Sequence, residues 1–194
     1  MRVQIVYESL YGNTRLVAEA IGEGFLGSWP DAHVSALEVG EVLPYEVRGA
    51  DLLVVGGPTH ILTMTTRRTR EMGLRSARDE VMANSVSGGD HDSATAPGVR
   101  EWLKALPVAP GGNQAAAFDT RLGSLMAGGA ARPIYRRLRD SGYQMVAEPK
   151  GFIVVDGRGP LRPGEESRAR MWGVHLARCT AGEWLRGISG ATGT

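Results

Sequence analysis

Residues Val3 to Thr14 read V-Q-I-V-Y-E-S-L-Y-G-N-T, a run that few architectures can accommodate. Val3 to Tyr7 is short, apolar and rich in β-branched residues, the composition of a strand buried in a parallel sheet. Ser9-Leu10-Tyr11-Gly12-Asn13-Thr14 follows as a small loop of hydroxyls, one glycine and one amide. Arg15 to Ile21 then has helical spacing, with Leu16, Val17, Ala20 and Ile21 predicted on one face. A strand, a polar loop and a helix start in this order make an anion site. Unpaired backbone N–H groups and the positive end of the helix dipole converge there.

The loop chemistry narrows the anion. A triphosphate loop G-x-x-x-x-G-K-[ST] needs a lysine, and this loop has none. A dinucleotide fingerprint needs three glycines, and only Gly12 is present. A cradle of hydroxyls and amides without an internal cation suits one terminal phosphate monoester. Ser9, Tyr11, Gly12, Asn13 and Thr14 resemble the flavodoxin family, whose first loop reads roughly T/S-x-[TY]-G-N-T and holds the phosphate of FMN. The resemblance implies FMN as cofactor, with Leu10 inside the same loop. An ordinary strand-to-helix turn, capped by Thr14, is the alternative.

Length and composition set the frame. A chain of 194 residues is predicted to form a single α/β domain spanning 1–194, large enough for a substantial core. No apolar run approaches the roughly 18 residues needed to span a bilayer, and no signal peptide is expected, so a cytoplasmic protein without membrane contact is predicted. The single cysteine, Cys179, excludes an internal disulfide and a multi-cysteine metal site; its apolar neighbours predict a buried helical thiol. A net charge of +1 argues against a general nucleic-acid binder. Flavodoxins are typically strongly acidic, so the surface offered to a redox partner should differ here.

Further along, His33 to Val39 is predicted as the second strand and Asp51 to Gly57 as the third. Gly56-Gly57-Pro58-Thr59-His60-Ile61 stands where an open parallel sheet places its ligands. It is similar to the second flavin loop of flavodoxins, G-x-P-T/V, which implies cofactor contacts from Gly57, Pro58, Thr59 and His60. His60 sits where many flavodoxins place an aromatic residue against the flavin; a loop histidine tied to a carbonyl is the other reading. Residues 63–95 form a long, flexible inserted loop after strand 3, with Arg67, Arg68, Arg70, Arg75 and Arg78 clustered in it. It reads either as a solvated excursion or as a lid or partner-docking loop. Asp90-His91-Asp92 within it resembles a metal cluster on paper, but no metal is predicted.

Pro97 to Leu106 is predicted helical, burying Val99, Trp102, Leu103 and Leu106. Asn113 to Phe118 is the fourth strand, weak in β-propensity, and Asp119-Thr120-Arg121 begins the loop after it. The resemblance implies that this third loop touches the flavin ring, with Arg121 near its polar edge; an Asp119–Arg121 ion pair pinning the loop is the alternative. Gly128 to Gly142 forms a helix with a solvated arginine face. The fifth strand starts at Gln144, breaks at Glu148 to Gly151 and resumes at Phe152. Glu165 to Leu185 is the last helix, predicted to bury Met171, Trp172, Leu176 and Trp184.

Strand–helix alternation of this kind predicts a doubly wound five-stranded parallel sheet, flavodoxin-like, in the order 2-1-3-4-5. In that order strands one, three and four are neighbours, so their three loops converge. The loops contain no nucleophile–base pair and no carboxylate dyad, so the chemistry is assigned to the cofactor and no catalytic residue is predicted. The expected function is FMN-based electron transfer with a redox partner protein or a small-molecule acceptor. The alternatives are an FMN-dependent NAD(P)H:quinone-type reductase and a flavodoxin-fold interaction module without FMN. A homodimer is left open.

Overall fold

Valine, leucine and alanine crowd the central strands on both sides, and helices cover both sides of the sheet. The computed structural model describes residues 1–60, 63–64, 97–109, 111–123 and 128–191, without the side chains of His60, Thr63 and residues 183–191. Its elements run β1 (Arg2–Tyr7), α1 (Asn13–Ser28), β2 (His33–Glu38), a 3-10 turn (Glu46–Gly49), β3 (Leu52–His60) and β4 (Thr63–Met64). They continue with α2 (Val99–Lys104), β5 (Gln114–Leu122), α3 (Ala131–Asp140), β6 (Gln144–Met145), β7 (Lys150–Val154) and α4 (Glu165–Ala191).

The main sheet runs β2-β1-β3-β5-β6, all parallel, with β7 also pairing β5. β6 and β7 are the two halves of one interrupted fifth strand, so the order is the 2-1-3-4-5 expected from the sequence. β4 is an addition, antiparallel to the end of β3, with Thr59 opposite Met64. The inserted segment beyond it, with its arginine cluster and Asp90-His91-Asp92, lies outside the described residues.

Two buried clusters flank the sheet. Val3, Ile5, Tyr7, Leu52, Val54, Ala116 and Phe118 face α1 and α4. Val6, Leu53, Val55, Ala115 and Ala117 face α2 and α3. This is the period-two alternation of a strand buried on both faces. The alanines of β5 carry little β-propensity, but a central strand lying under Trp102 and Ile134 gains its stability from packing. On the other face α1 and α4 approach closely at Gly24 and Gly173: a methyl at Gly24 would strike the Arg170 carbonyl, and one at Gly173 the Ile21 carbonyl.

Several expectations need correcting. Leu16 and Met171 are 42% and 66% exposed, so neither belongs to a buried helix face. Cys179 is half-buried, with His175 Nε2 3.5 Å from its Sγ one helical turn away. Trp172 and Leu176 are buried as expected, while the side chain of Trp184 is outside the described residues. β3 and β5 are longer than predicted. β4 extends the hydrogen bonding of β3 through His60, and β7 extends that of β5 through Leu122. Pro58 to His60 and Asp119 to Arg121 are therefore strand residues rather than loops.

Candidate functional site

The C-terminal ends of β1, β3 and β5 meet at the start of α1. Loop closure there depends on Gly12, the helix N-cap, at φ 82° in the left-handed region that L side chains rarely adopt. Leu16 N–H makes the first helical bond, to the Gly12 carbonyl at 3.0 Å. The Arg15 N–H is met by the Ser9 hydroxyl at 3.3 Å. The N–H groups of Asn13 and Thr14 belong to the first turn and have no intrahelical acceptor. Thr14 is inside the helix rather than its cap, and no side chain caps Gly12.

Strand alternation sorts the remaining residues. Thr120 falls on the α1 side of β5, where its Oγ1 lies 2.8 Å from Thr14 Oγ1 in a buried contact. Two hydroxyls carry two protons and their mutual bond uses one, which leaves the other for an outside acceptor. Asp119 and Arg121 fall on the α3 side. Asp119 is fully buried; its Oδ2 accepts from the Ala131 N–H at 2.9 Å and from the Thr59 hydroxyl at 3.2 Å. Thr59 Oγ1 in turn accepts from the Ala130 N–H at 2.9 Å. Arg121 Nε stands 3.6 Å from Asp119 Oδ1, and its Nη1 donates to the Gly128 carbonyl at 3.3 Å. Burial pushes the Asp119 carboxyl above the usual carboxylate range, against the opposing pull of the Ala131 N–H, Arg121 and Thr59.

A cleft of about 150 Å³ lies at this junction. Leu10, Tyr11, Asn13 and Thr14 line it from the first loop and helix. Pro58, Thr59, Thr120 and Arg121 line it from β3 and β5. Three regions that are remote in sequence therefore share one site. Ser9, Gly12 and Gly57 are not among the lining residues, and the side chain of His60 is outside the described residues. Asn13 is turned aside: its Nδ2 donates to the Arg158 carbonyl at 2.7 Å, pinning the loop after β7 over the helix start.

Sequence reasoning missed Leu122, Val154 and Gly157, which complete the wall. It also passed over Glu8. That carboxylate is buried on the α2 side, where its Oε2 accepts from the Val99 N–H at 2.9 Å. An acidic residue directly before a phosphate-like loop was the available signal, since it must point away from any anion held there. Among the described residues no group of three or more His, Cys, Asp or Glu could hold a metal ion.

No family model matches the chain, and no curated protein matches it. Solved structures do. A flavodoxin from the domain Archaea is 20% identical over 93% of this chain and 99% of its own, with a TM-score of 0.61. Flavodoxin 1 from Bacillus cereus is 12% identical over 92% of this chain and 98% of its own, at 0.63. The flavodiiron core of Flv1 from Synechocystis sp. matches 93% of this chain and 36% of its own, at 16% identity and 0.57. The chain has the flavodoxin-like fold.

Proposed function

We propose that the cleft binds FMN and that the protein transfers electrons through it. The observation that carries this reading is the open start of α1, where two first-turn N–H groups without an intrahelical acceptor and a spare hydroxyl proton belong to residues that line the cleft, with no carboxylate among the lining residues. That donor set fits a phosphate monoester. The backbone N–H groups of Asn13 and Thr14 would hold the phosphate, with Ser9 and Gly12 shaping the turn that presents them. Thr14 and Thr120 would meet it or the adjoining ribityl chain, and Tyr11, Pro58, Thr59 and Arg121 would border the ring. The fold is one that flavodoxins share, which supports the choice of FMN over other phosphate esters.

When bound, FMN supplies reversible one- and two-electron transfer. The chain's own residues position and tune it. Arg121 brings a positive charge to the cleft wall, and the buried Asp119 both fixes that guanidinium and offsets part of its field.

Titration with FMN, riboflavin and FAD, followed by flavin fluorescence, tests the assignment. FMN should bind well ahead of the other two. A charge-assisted hydrogen bond contributes about 1.5–3 kcal/mol, so Thr14→Ala should weaken FMN roughly ten-fold or more and leave riboflavin nearly unchanged. Equal losses for FMN and riboflavin would sink the phosphate assignment.

A further inference from the structure

Among the described residues, the charged side chains around the C-terminal edge of the sheet are not evenly distributed. Near the β1–β2 end stand Glu38 and Glu41, whose charges help burial push the Tyr7 phenol upward, and Glu19, which Arg15 pairs at 3.3 Å. Near the β5–α3 end stand Arg121, in the cleft wall, and the arginines of α3. Arg132, Arg136 and Arg139 are all exposed. At about 100° per residue they fall within roughly 60° of arc, one stripe along the helix. The stripe begins at the cleft: Arg132 follows Ala130 and Ala131, whose N–H groups bond Thr59 and Asp119.

Structural roles account for only part of this basic set. Arg137 donates to the Leu103 and Lys104 carbonyls at 3.2 and 3.3 Å, closing the end of α2. Arg139 lies 3.5 Å from Asp140 and, in the last turn, suits the helix dipole. Arg132 and Arg136 have neither role; among the described residues no carboxylate pairs with them. Arg132 occupies the first turn of α3, which has no acidic residue of its own; the Asp119 carboxylate that closes this helix start bonds the Ala131 N–H and not Arg132.

We infer that the Arg132–Arg136 stripe beside the cleft is the docking surface for an acidic electron-transfer protein. The inference rests on the FMN reading of the cleft and names the partner class of that same site. A basic stripe on one rim and glutamates on the other give the cleft a polarised field. An acidic partner is drawn to the α3 side and turned away from the β2 side, so it arrives in one orientation. In each encounter the partner is oxidised by one electron, which the bound flavin accepts. Two encounters and two protons from solvent complete the flavin's reduction.

The test uses the FMN-loaded protein and a reduced acidic [2Fe–2S] ferredoxin as probe, with rates measured by stopped flow. At low ionic strength Arg132→Glu/Arg136→Glu should lower the second-order rate at least ten-fold. The wild-type rate should fall with added salt, while reoxidation of the flavin by a neutral quinone stays unchanged in both proteins. Arg132→Lys/Arg136→Lys should retain the rate, which separates charge from folding. A ferredoxin rate that ignores both the charge reversal and salt overturns the proposal. So does a stripe that binds an oligonucleotide, and loses it on charge reversal, without engaging ferredoxin. Failure of the FMN reading has a different signature, the absence of flavin uptake. Calorimetric binding of ferredoxin to the flavin-free wild type and double variant then still decides the docking question.

Discussion

The starts of α1 and α3 lie on opposite faces of one sheet, at the same edge, and carry the same kind of dipole. They are satisfied in opposite ways. At α3 the protein supplies the anion itself: Asp119 accepts the Ala131 N–H, and Thr59 accepts the Ala130 N–H. The short α2 follows the same pattern through Glu8 and the Val99 N–H. At α1 the only side-chain acceptor among the described residues is the Ser9 hydroxyl at 3.3 Å, and a left-handed glycine stands where a capping residue would be. A helix start closed by an internal carboxylate is part of the scaffold. One that keeps its first-turn N–H groups beside a cleft is where an external anion has something to bind.

Substitutions at the two ends should therefore fail differently. Asp119→Ala is expected to have the largest effect, removing a buried acceptor and leaving Ala131 N–H, Thr59 and Arg121 without their partner. Leaving the buried Ala131 N–H unsatisfied costs about 1–3 kcal/mol, with a smaller loss from the half-exposed Arg121, readable as a lowered urea midpoint with unchanged slope. A loss below about 1 kcal/mol would mean that water replaces the carboxylate and that the α3 end is not closed as described.

Gly12→Ala should do less to the fold. A methyl there meets no atom within 4 Å, so the cost is the left-handed backbone alone, about 1–2 kcal/mol. If the α1 start is the ligand end, FMN affinity should fall in the same variant while Asp119-dependent stability is retained. Full stability together with full affinity would show that the left-handed turn is dispensable and remove half of the contrast.

The smallest effect lies in the pH dependence. Asp119 holds its proton more tightly in the fold than in the unfolded chain, because burial outweighs its partners. Its contribution is thus complete below the ordinary carboxylate value of 3.8 and is lost as pH rises through the higher folded value. Asp119→Asn should flatten that decline, measured as urea midpoints across the acid range. A wild-type curve that instead rises with pH exactly where the Asn variant stays flat would place Asp119 below its ordinary value and make Arg121 its dominant partner.

Local signals were the readable ones. The β1–loop–α1 unit could be traced because strand composition, a glycine and helical spacing all fall within about twenty residues. The strand order followed from alternation of elements, and a break in the fifth strand was legible at Glu148 to Gly151, although the structure ends the first half at Met145 and resumes at Lys150. Asp119 to Arg121 read as a loop because nothing nearby says that β7 will pair with β5 as far as Leu122. The exposure of Leu16 and Met171 was equally hidden, since helical spacing defines a stripe but not how far the neighbouring helix covers it.

What the sequence determined by itself was therefore the sheet, its order and the polar loop at its edge. Each depends on residues close together in the chain, through propensity and period. Tertiary structure alone decided how the helix starts are satisfied. The Asp119 network joins Thr59, Asp119 and Ala131, and the hydroxyl pair joins Thr14 to Thr120. A carboxylate on a strand looks the same in sequence whether it faces solvent or closes a helix. Only the register of β3 beside β5, with Gly57 opposite Asp119 and Pro58 opposite Thr120, fixes which face each side chain takes and which helix it meets.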